Sequence, residues 1–157
     1  MEAILELERV SKRYGSHLAV DDLSMVVPRG SVFGLLGPNG AGKSTTIRMI
    51  MRIIASDGGR VLFAGEPLDD RRRAQIGYLP EERGLYKKMR VLEHLVFLGT
   101  IRGLTASEAR RRSSDWLERF GLGTWASHKV EDLSQGMKQK VQLIGTILHQ
   151  PPLMILD

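Results

Sequence analysis

The sequence predicts an α/β domain with a partly parallel sheet and a helical subdomain. Three observations carry this reading. Short apolar runs bounded by Gly and Pro alternate with stretches of helical length. A glycine-rich turn joins one such run, SVFGLL, directly to a helix. A continuous helical stretch follows IGYLP, where the alternation would otherwise put one crossover helix.

The elements follow in order. ILELERV (residues 4–10) alternates apolar and polar residues, the period of a half-buried strand. LSMVVPRG is a second strand, closed by Pro28 and Gly30. SVFGLL (residues 31–36) has the uninterrupted apolar character of a buried parallel strand. After the glycine turn a helix runs from Lys43 to about Ile54. SDGGR is a turn, RVLFAG a strand, and IGYLP (residues 76–80) a further strand. VLEHLVFLGTIRG is apolar around most of its circumference, which predicts a buried helix, and it is too short to cross a bilayer. TASE (residues 105–108) has capping-box spacing and opens a helix that Gly121 ends. A last helix follows DLSQG until Pro151, and LMILD is the closing strand.

At 157 residues the chain is long enough for a sizeable core. It has no run of about 20 apolar residues that could span a bilayer. The start, with Glu2, Glu6 and Glu8, lacks the basic n-region of a signal peptide. With no cysteine, disulfides and thiolate metal sites are excluded. The net charge of +5 points to an anionic partner or to a solvated basic surface. Arg110–Arg112 share their helix with Glu108, Asp115 and Glu118, so that charge is partly balanced locally. No aromatic residues interleave with the arginines as in a single-strand groove. His17, His94, His128 and His149 are scattered without metal-ligand spacing.

GPNGAGKST is the most informative stretch. Gly37, Gly42, Lys43 and Ser44 satisfy G-x-x-x-x-G-K-[ST]. A loop that wraps phosphate must aim successive backbone N–H groups inward, and glycines permit those dihedrals without a Cβ clash. The following helix adds the positive end of its dipole. Lys43 supplies a full charge for the β- and γ-phosphates, and Ser44 a hydroxyl for Mg²⁺. Nucleotide binding follows, with Gly37, Pro38, Asn39, Gly40, Ala41, Gly42, Lys43, Ser44 and Thr45 as its contact loop.

The remaining stretches resemble the nucleotide-binding subunits of ABC transporters, along the whole chain and in order. LSQGMKQKV (residues 133–141) resembles the ABC signature, usually LSGGQ, which other P-loop classes lack. LMILD resembles Walker B, RYG (residues 13–15) the A-loop, and IGYLPE the Q-loop region. Taken singly these are a tyrosine, a good helix start with Ser134 as N-cap, and a buried strand with an acidic end. Order and spacing together carry the resemblance.

The resemblance implies a P-loop NTPase (ABC ATPase) core with N-terminal antiparallel β elements and a helical subdomain. It divides the chain into β elements and P-loop core (1–80), Q-loop and helical subdomain (about 81–135), and signature helix with Walker B strand (about 136–157). It implies that Tyr14 stacks on adenine and that Asp157, with Ser44, holds Mg²⁺. It also implies that Leu133, Ser134, Gln135, Gly136 and Met137 address the ATP of a second subunit, Ser134 and Gly136 facing the γ-phosphate. Two residues depart from the family pattern: the signature reads Ser-Gln-Gly-Met, and Glu81 stands where glutamine is usual. A carboxylate there would meet Mg²⁺ more strongly and phosphate less favourably, so the role of Glu81 stays open.

The implied function is an ATP-hydrolysing, energy-coupling subunit of an exporter, with ATP and Mg²⁺ as cofactors. The implied partners are a second ATPase subunit, as a homodimer, and an integral-membrane permease; no nucleic acid is expected. The place is the cytoplasm, peripheral on the cytoplasmic membrane face. IGYLPEERGLY resembles the subgroup that pairs with ABC-2-type permeases, including sodium and drug efflux ATPases. The alternatives are a soluble ABC protein acting on nucleic acid or ribosomes and, less favoured by the signature, a small-molecule kinase. Leu85 and Tyr86 are either an apolar anchor for the permease or residues tucked into their own domain. The family's Walker B continues with a glutamate that acts on water, and here Asp157 is the last residue. The expectation is a C-terminally truncated domain that binds ATP weakly and hydrolyses it poorly.

Overall fold

The computed structural model describes residues 2–80 and 85–157. Glu81 lies outside them. The chain divides into two compact units, Met1–Ile76 with Asp157, and Gly77–Leu156.

The first unit is built on an antiparallel sheet of order β2-β1-β3-β4. β1 (Ala3–Tyr14) is central, paired with β2 (His17–Pro28) and with β3 (Gly58–Phe63), and β4 (Glu66–Pro67) covers the far edge of β3. The antiparallel N-terminal β elements are thus present. β1 extends well past the 4–10 stretch that its alternation predicts. It does so through irregularities at which Arg9 and Asp22 take positive φ, and such bulges scramble the two-residue period. Ile4, Leu5, Leu7, Val10, Val20, Val27 and Phe63 are buried in this unit.

α1 (Lys43–Ile50) buries Thr46, Ile47, Met49 and Ile50 and ends before the expected Ile54. A short α2 (Asp70–Arg73) opens with Asp69, whose carboxylate accepts the Arg72 N–H at 2.7 Å. The largest departure is SVFGLL. Residues 31–36 form no strand, and Val32, Phe33 and Leu36 are exposed, Leu36 at 92 %. An apolar run becomes a buried strand only when neighbours accept its N–H and C=O groups on both sides. Neither described sheet includes this segment.

The second unit is helical around one core. β5 (Ile76–Leu79) and β6 (Leu153–Leu156) pair as a separate two-stranded sheet, and β6 is half exposed where a fully buried inner strand is expected. α3 (Val91–Ile101), α4 (Ala106–Arg119) and α5 (Gln135–Ile147) bury Val91, Leu95, Leu117, Val141, Ile144 and Leu148 against one another. The first N–H groups of α3 have no partners within a helix; here the carbonyls of His128 and Ala126 accept those of Val91 and Leu92. α4 opens with the Thr105 hydroxyl accepting the Glu108 N–H. It closes at Gly121, φ +71°, with Leu122 N–H donating to the Leu117 carbonyl, a Schellman ending. The helices approach closely at glycines: a Cβ on Gly99 would lie 2.8 Å from Ala109 Cβ.

Candidate functional site

Residues 37–42 form the loop that hands the chain to α1. Ala41 N–H donates to the Pro38 carbonyl at 3.1 Å, which tightens the loop into a turn. Gly40 and Gly42 have φ of +83° and +86°, values that cost a side chain roughly 1–2 kcal/mol. Gly42 is required twice over. It caps α1 in the left-handed region, and a Cβ there would lie 2.4 Å from the Ala19 carbonyl oxygen of β2. Gly37 is tight for a different reason: its Cβ would meet Ala41 Cβ at 3.0 Å, so Ala41 would have to give by a few tenths of an ångström.

Lys43 turns its side chain back across this loop. Its Nζ donates to the carbonyl oxygens of Gly37 at 2.5 Å and Pro38 at 2.8 Å. The ammonium therefore sits over the same turn that the phosphates would occupy, at the positive end of α1. Ser44, in the first turn, is exposed and keeps its hydroxyl at the surface. Thr46 is buried, with its hydroxyl donating to the Gly42 carbonyl at 2.9 Å and its N–H donating to the same oxygen at 2.8 Å. This fastens the end of the loop to the helix. Thr46, not singled out from sequence, is the anchor; its position three residues past Lys43 on the inner helix face was the available signal. Pro38, Asn39, Gly40 and Ala41 are exposed, and Thr45 is half-buried. A cradle of left-handed glycines, a cation held at its mouth and an accessible hydroxyl fits a Mg²⁺–phosphate ligand.

Tyr14 is the last residue of β1, where it pairs with His17 across the hairpin turn, and the residue is 45 % exposed. Asp157 is exposed and follows β6 directly. Among the described residues, no group of three or more His, Asp or Glu gathers as a metal site.

The signature stretch lies in the second unit, at the start of α5. Leu133 is buried in the helical core and Met137 packs partly against it. Between them Ser134, Gln135 and Gly136 are exposed, and a Cβ on Gly136 would meet nothing within 4 Å. Ser134 is the N-cap: its hydroxyl accepts the Met137 N–H at 3.3 Å. Two apolar residues thus fix the turn, and Ser134, Gln135 and Gly136 between them are exposed at the capped N-terminus of α5.

Leu85 packs against the core of its own unit. Tyr86 does not: it is 54 % exposed, edge-on to Phe97 with ring centroids 5.5 Å apart and to His94 at 5.7 Å. Phe97 and Ile101 continue this exposed apolar surface one helical turn apart on α3.

Residues 20–157 match the family model described as ABC transporter. The chain is 45 % identical over 154 residues to the uncharacterized ABC transporter ATP-binding protein YhaQ of Bacillus subtilis, covering 98 % of this chain and 52 % of YhaQ. It is 38 % identical over 160 residues to the Nod factor export ATP-binding protein I of Cupriavidus pinatubonensis, covering all of this chain and 49 % of that protein. The chain thus spans about half the length of these curated relatives. A solved structure of the ATP-binding subunit of an ABC transporter superposes with a TM-score of 0.87 at 36 % identity, over 98 % of this chain and 65 % of that one. With the glycine cradle, Lys43 and the outward-facing signature turn in place, this chain belongs to the ABC transporter family, in its ATP-binding domain.

Proposed function

We propose that the chain supplies the ATP-binding part of an energy-coupling subunit of an ABC exporter. The observation that carries this is the Lys43 ammonium held over the Gly37–Pro38 turn at the N-terminus of α1. In that position it can leave two carbonyls for a phosphate without moving the backbone. Lys43 grips the β- and γ-phosphates, backbone N–H groups of residues 37–45 wrap them, and Tyr14 stacks on the adenine. Ser44 and Asp157 hold Mg²⁺, which neutralises phosphate charge when bound.

Ser134 and Gly136 address the γ-phosphate of a second subunit's ATP, with Leu133, Gln135 and Met137 shaping that turn. The exposure of Ser134 and Gly136 at the N-terminus of α5 supports this assignment. Two such subunits close only on a γ-phosphate, and hydrolysis releases them, so differential binding of ATP and ADP drives the cycle. The partners are a second ATPase subunit, as a homodimer, and a permease of ABC-2 type on the cytoplasmic membrane face. The exposed Tyr86–Phe97–Ile101 surface supports a docking role for Tyr86, while Leu85 serves its own core. We assign residues 1–80 to the nucleotide-gripping part and about 81–135 to the helical subdomain, with Glu81 at the Q-loop position.

As a 157-residue polypeptide the chain is a nucleotide binder with poor turnover. The alternative, a soluble ABC protein acting on nucleic acid, draws on the net charge of +5. Local pairing of Arg72 with Asp69, Arg111 with Asp115 and Arg112 with Glu108 weighs against it. The test is calorimetric titration with Mg-ATP beside salt-dependent DNA and RNA binding. Saturable ATP binding lost in Lys43→Ala, without nucleic-acid retention, supports the transporter reading. Strong salt-dependent nucleic-acid binding overturns it.

A further inference from the structure

We infer that Lys12 and Asp57 are positioning residues that hold the Tyr14 ring for a purine base. This rests on the reading of Tyr14 as the base-stacking residue. Lys12 and Tyr14 are two apart near the end of β1. The Lys12 Nζ stands 5.7 Å from the Tyr14 ring centroid, within the reach of a cation–π contact. Lysine stems ordinarily wander, but this one is held. Its Nζ donates to Asp57 Oδ1 at 2.9 Å, and its side chain is largely covered, at 16 % exposure.

Asp57 is fixed in turn. Its second oxygen, Oδ2, accepts the backbone N–H of Arg13 at 2.7 Å, and its own N–H donates to the Ser11 carbonyl at 2.8 Å. One carboxylate therefore clamps both the lysine and the main chain immediately before Tyr14. The hydrogen bond from Lys12, then that from Arg13, holds the Asp57 carboxyl below the usual carboxylate range, so it stays charged wherever the lysine needs it.

The chemistry follows from the ring having two faces. The ammonium stands over one, and the residue as a whole is 45 % exposed, so a base has the other face to approach. A tyrosine at a hairpin tip would otherwise rotate about χ1 and χ2, and a base stacking on it would have to order it first. With the cation in place the ring waits in one orientation. The clamp thus acts on the base and not on the phosphates, which are gripped from residues 37–45. That separation makes it testable.

The experiment is calorimetric titration of the 157-residue chain and its variants with Mg-ATP and with Mg-tripolyphosphate, which has no base. Lys12→Met and Asp57→Asn are each expected to weaken ATP about two- to five-fold, the scale of an exposed cation–π contact, and to leave tripolyphosphate unchanged. Lys12→Arg, which keeps the cation, restores ATP affinity. Asp57→Asn exchanges one atom, so it reads the clamp even where Lys12→Met perturbs the hairpin; thermal melts verify both. ATP affinity unchanged in Lys12→Met and Asp57→Asn overturns the inference, as does equal weakening of ATP and tripolyphosphate. Tyr14→Ala with full ATP affinity overturns the stacking reading itself, and this inference with it.

Discussion

Lys43 Nζ lies 2.5 Å from the Gly37 carbonyl oxygen, so the loop's only formal charge is spent on the loop's own backbone. Together with the Pro38 bond, this places the cation without fixing it rigidly, because both acceptors are exposed and water can replace the lysine there. Phosphate therefore competes against two bonds of modest net worth. Lys43→Ala should lower Mg-ATP affinity about ten- to hundred-fold, the range expected for hydrogen bonds to a charged group. Thermal stability should barely move. A Lys43→Ala chain that binds ATP as tightly as the unmodified chain would remove the phosphate role from this loop.

The glycines divide into those that backbone geometry requires and those that side chains could accommodate. A Cβ on Gly59, at φ +73°, would lie 2.3 Å from the carbonyl oxygens of both Arg9 and Glu8. Main-chain oxygens inside a sheet cannot step aside, and the dihedral alone costs roughly 1–2 kcal/mol. Gly145 is tight against Leu98 Cδ1 at 2.6 Å, but that atom ends a side chain able to rotate, and alanine gains roughly 0.5–1 kcal/mol of helix propensity. Urea denaturation should show Gly59→Ala losing more than about 2 kcal/mol and Gly145→Ala changing by less than about 1 kcal/mol. The reverse ranking would contradict this account of the two approaches.

These contrasts explain what the sequence could reveal. Caps are local. Thr105, Ser134 and Gly121 can be placed from their neighbours alone, and each caps the helix expected of it. The loop proposed to bind phosphate is local too, since left-handed glycines and a following helix write its pattern within one stretch. Residues 31–36 fail for the opposite reason: an apolar run states that it prefers burial, while its partner strands are written elsewhere in the chain. The bulges near Arg9 and Asp22 hide the length of β1, and the four residues of α2 are too few to carry a period. Lys12 and Asp57 meet across more than forty residues, a contact no spacing rule reaches.

His149 gives the chain an acid sensitivity of predictable sign. Its ring nitrogens are buried without hydrogen-bond partners among the described residues, and burial, then the nearby Arg102 charge, lowers its pKa from 6.5 to about 4. In the unfolded chain the imidazole takes a proton as pH falls past 6.5, while in the folded chain it stays neutral until about 4. The unfolded state thus binds more protons across that window, so stability falls on acidification from about 6.5 to about 4. The depressed carboxyls of Asp57 and Asp69 act lower, their stabilisation being lost only as pH drops below their ordinary 3.8. Thermal melts between pH 7.5 and 4.5 should show a declining midpoint that His149→Gln flattens. An equally steep decline in that variant would assign the sensitivity elsewhere.

The N-cap role of Ser134 and the γ-phosphate role proposed for it can be separated by substitution. As N-cap of α5 its hydroxyl accepts the Met137 N–H, and Ser134→Ala should cost about 1 kcal/mol of stability. Ser134→Asp keeps an N-cap acceptor and adds a charge that the helix dipole favours, so it should fold as well as the unmodified chain or slightly better. At a γ-phosphate, however, the same carboxylate meets like charge, and ATP-dependent pairing of two subunits should be abolished. The comparison belongs in a full-length relative whose subunits pair on ATP, read by sedimentation with and without Mg-ATP. There Ser134→Asp is expected to melt normally, bind ATP on its own Lys43 face, and remain monomeric. A Ser134→Asp subunit that still pairs on ATP would leave Ser134 a helix cap and nothing more.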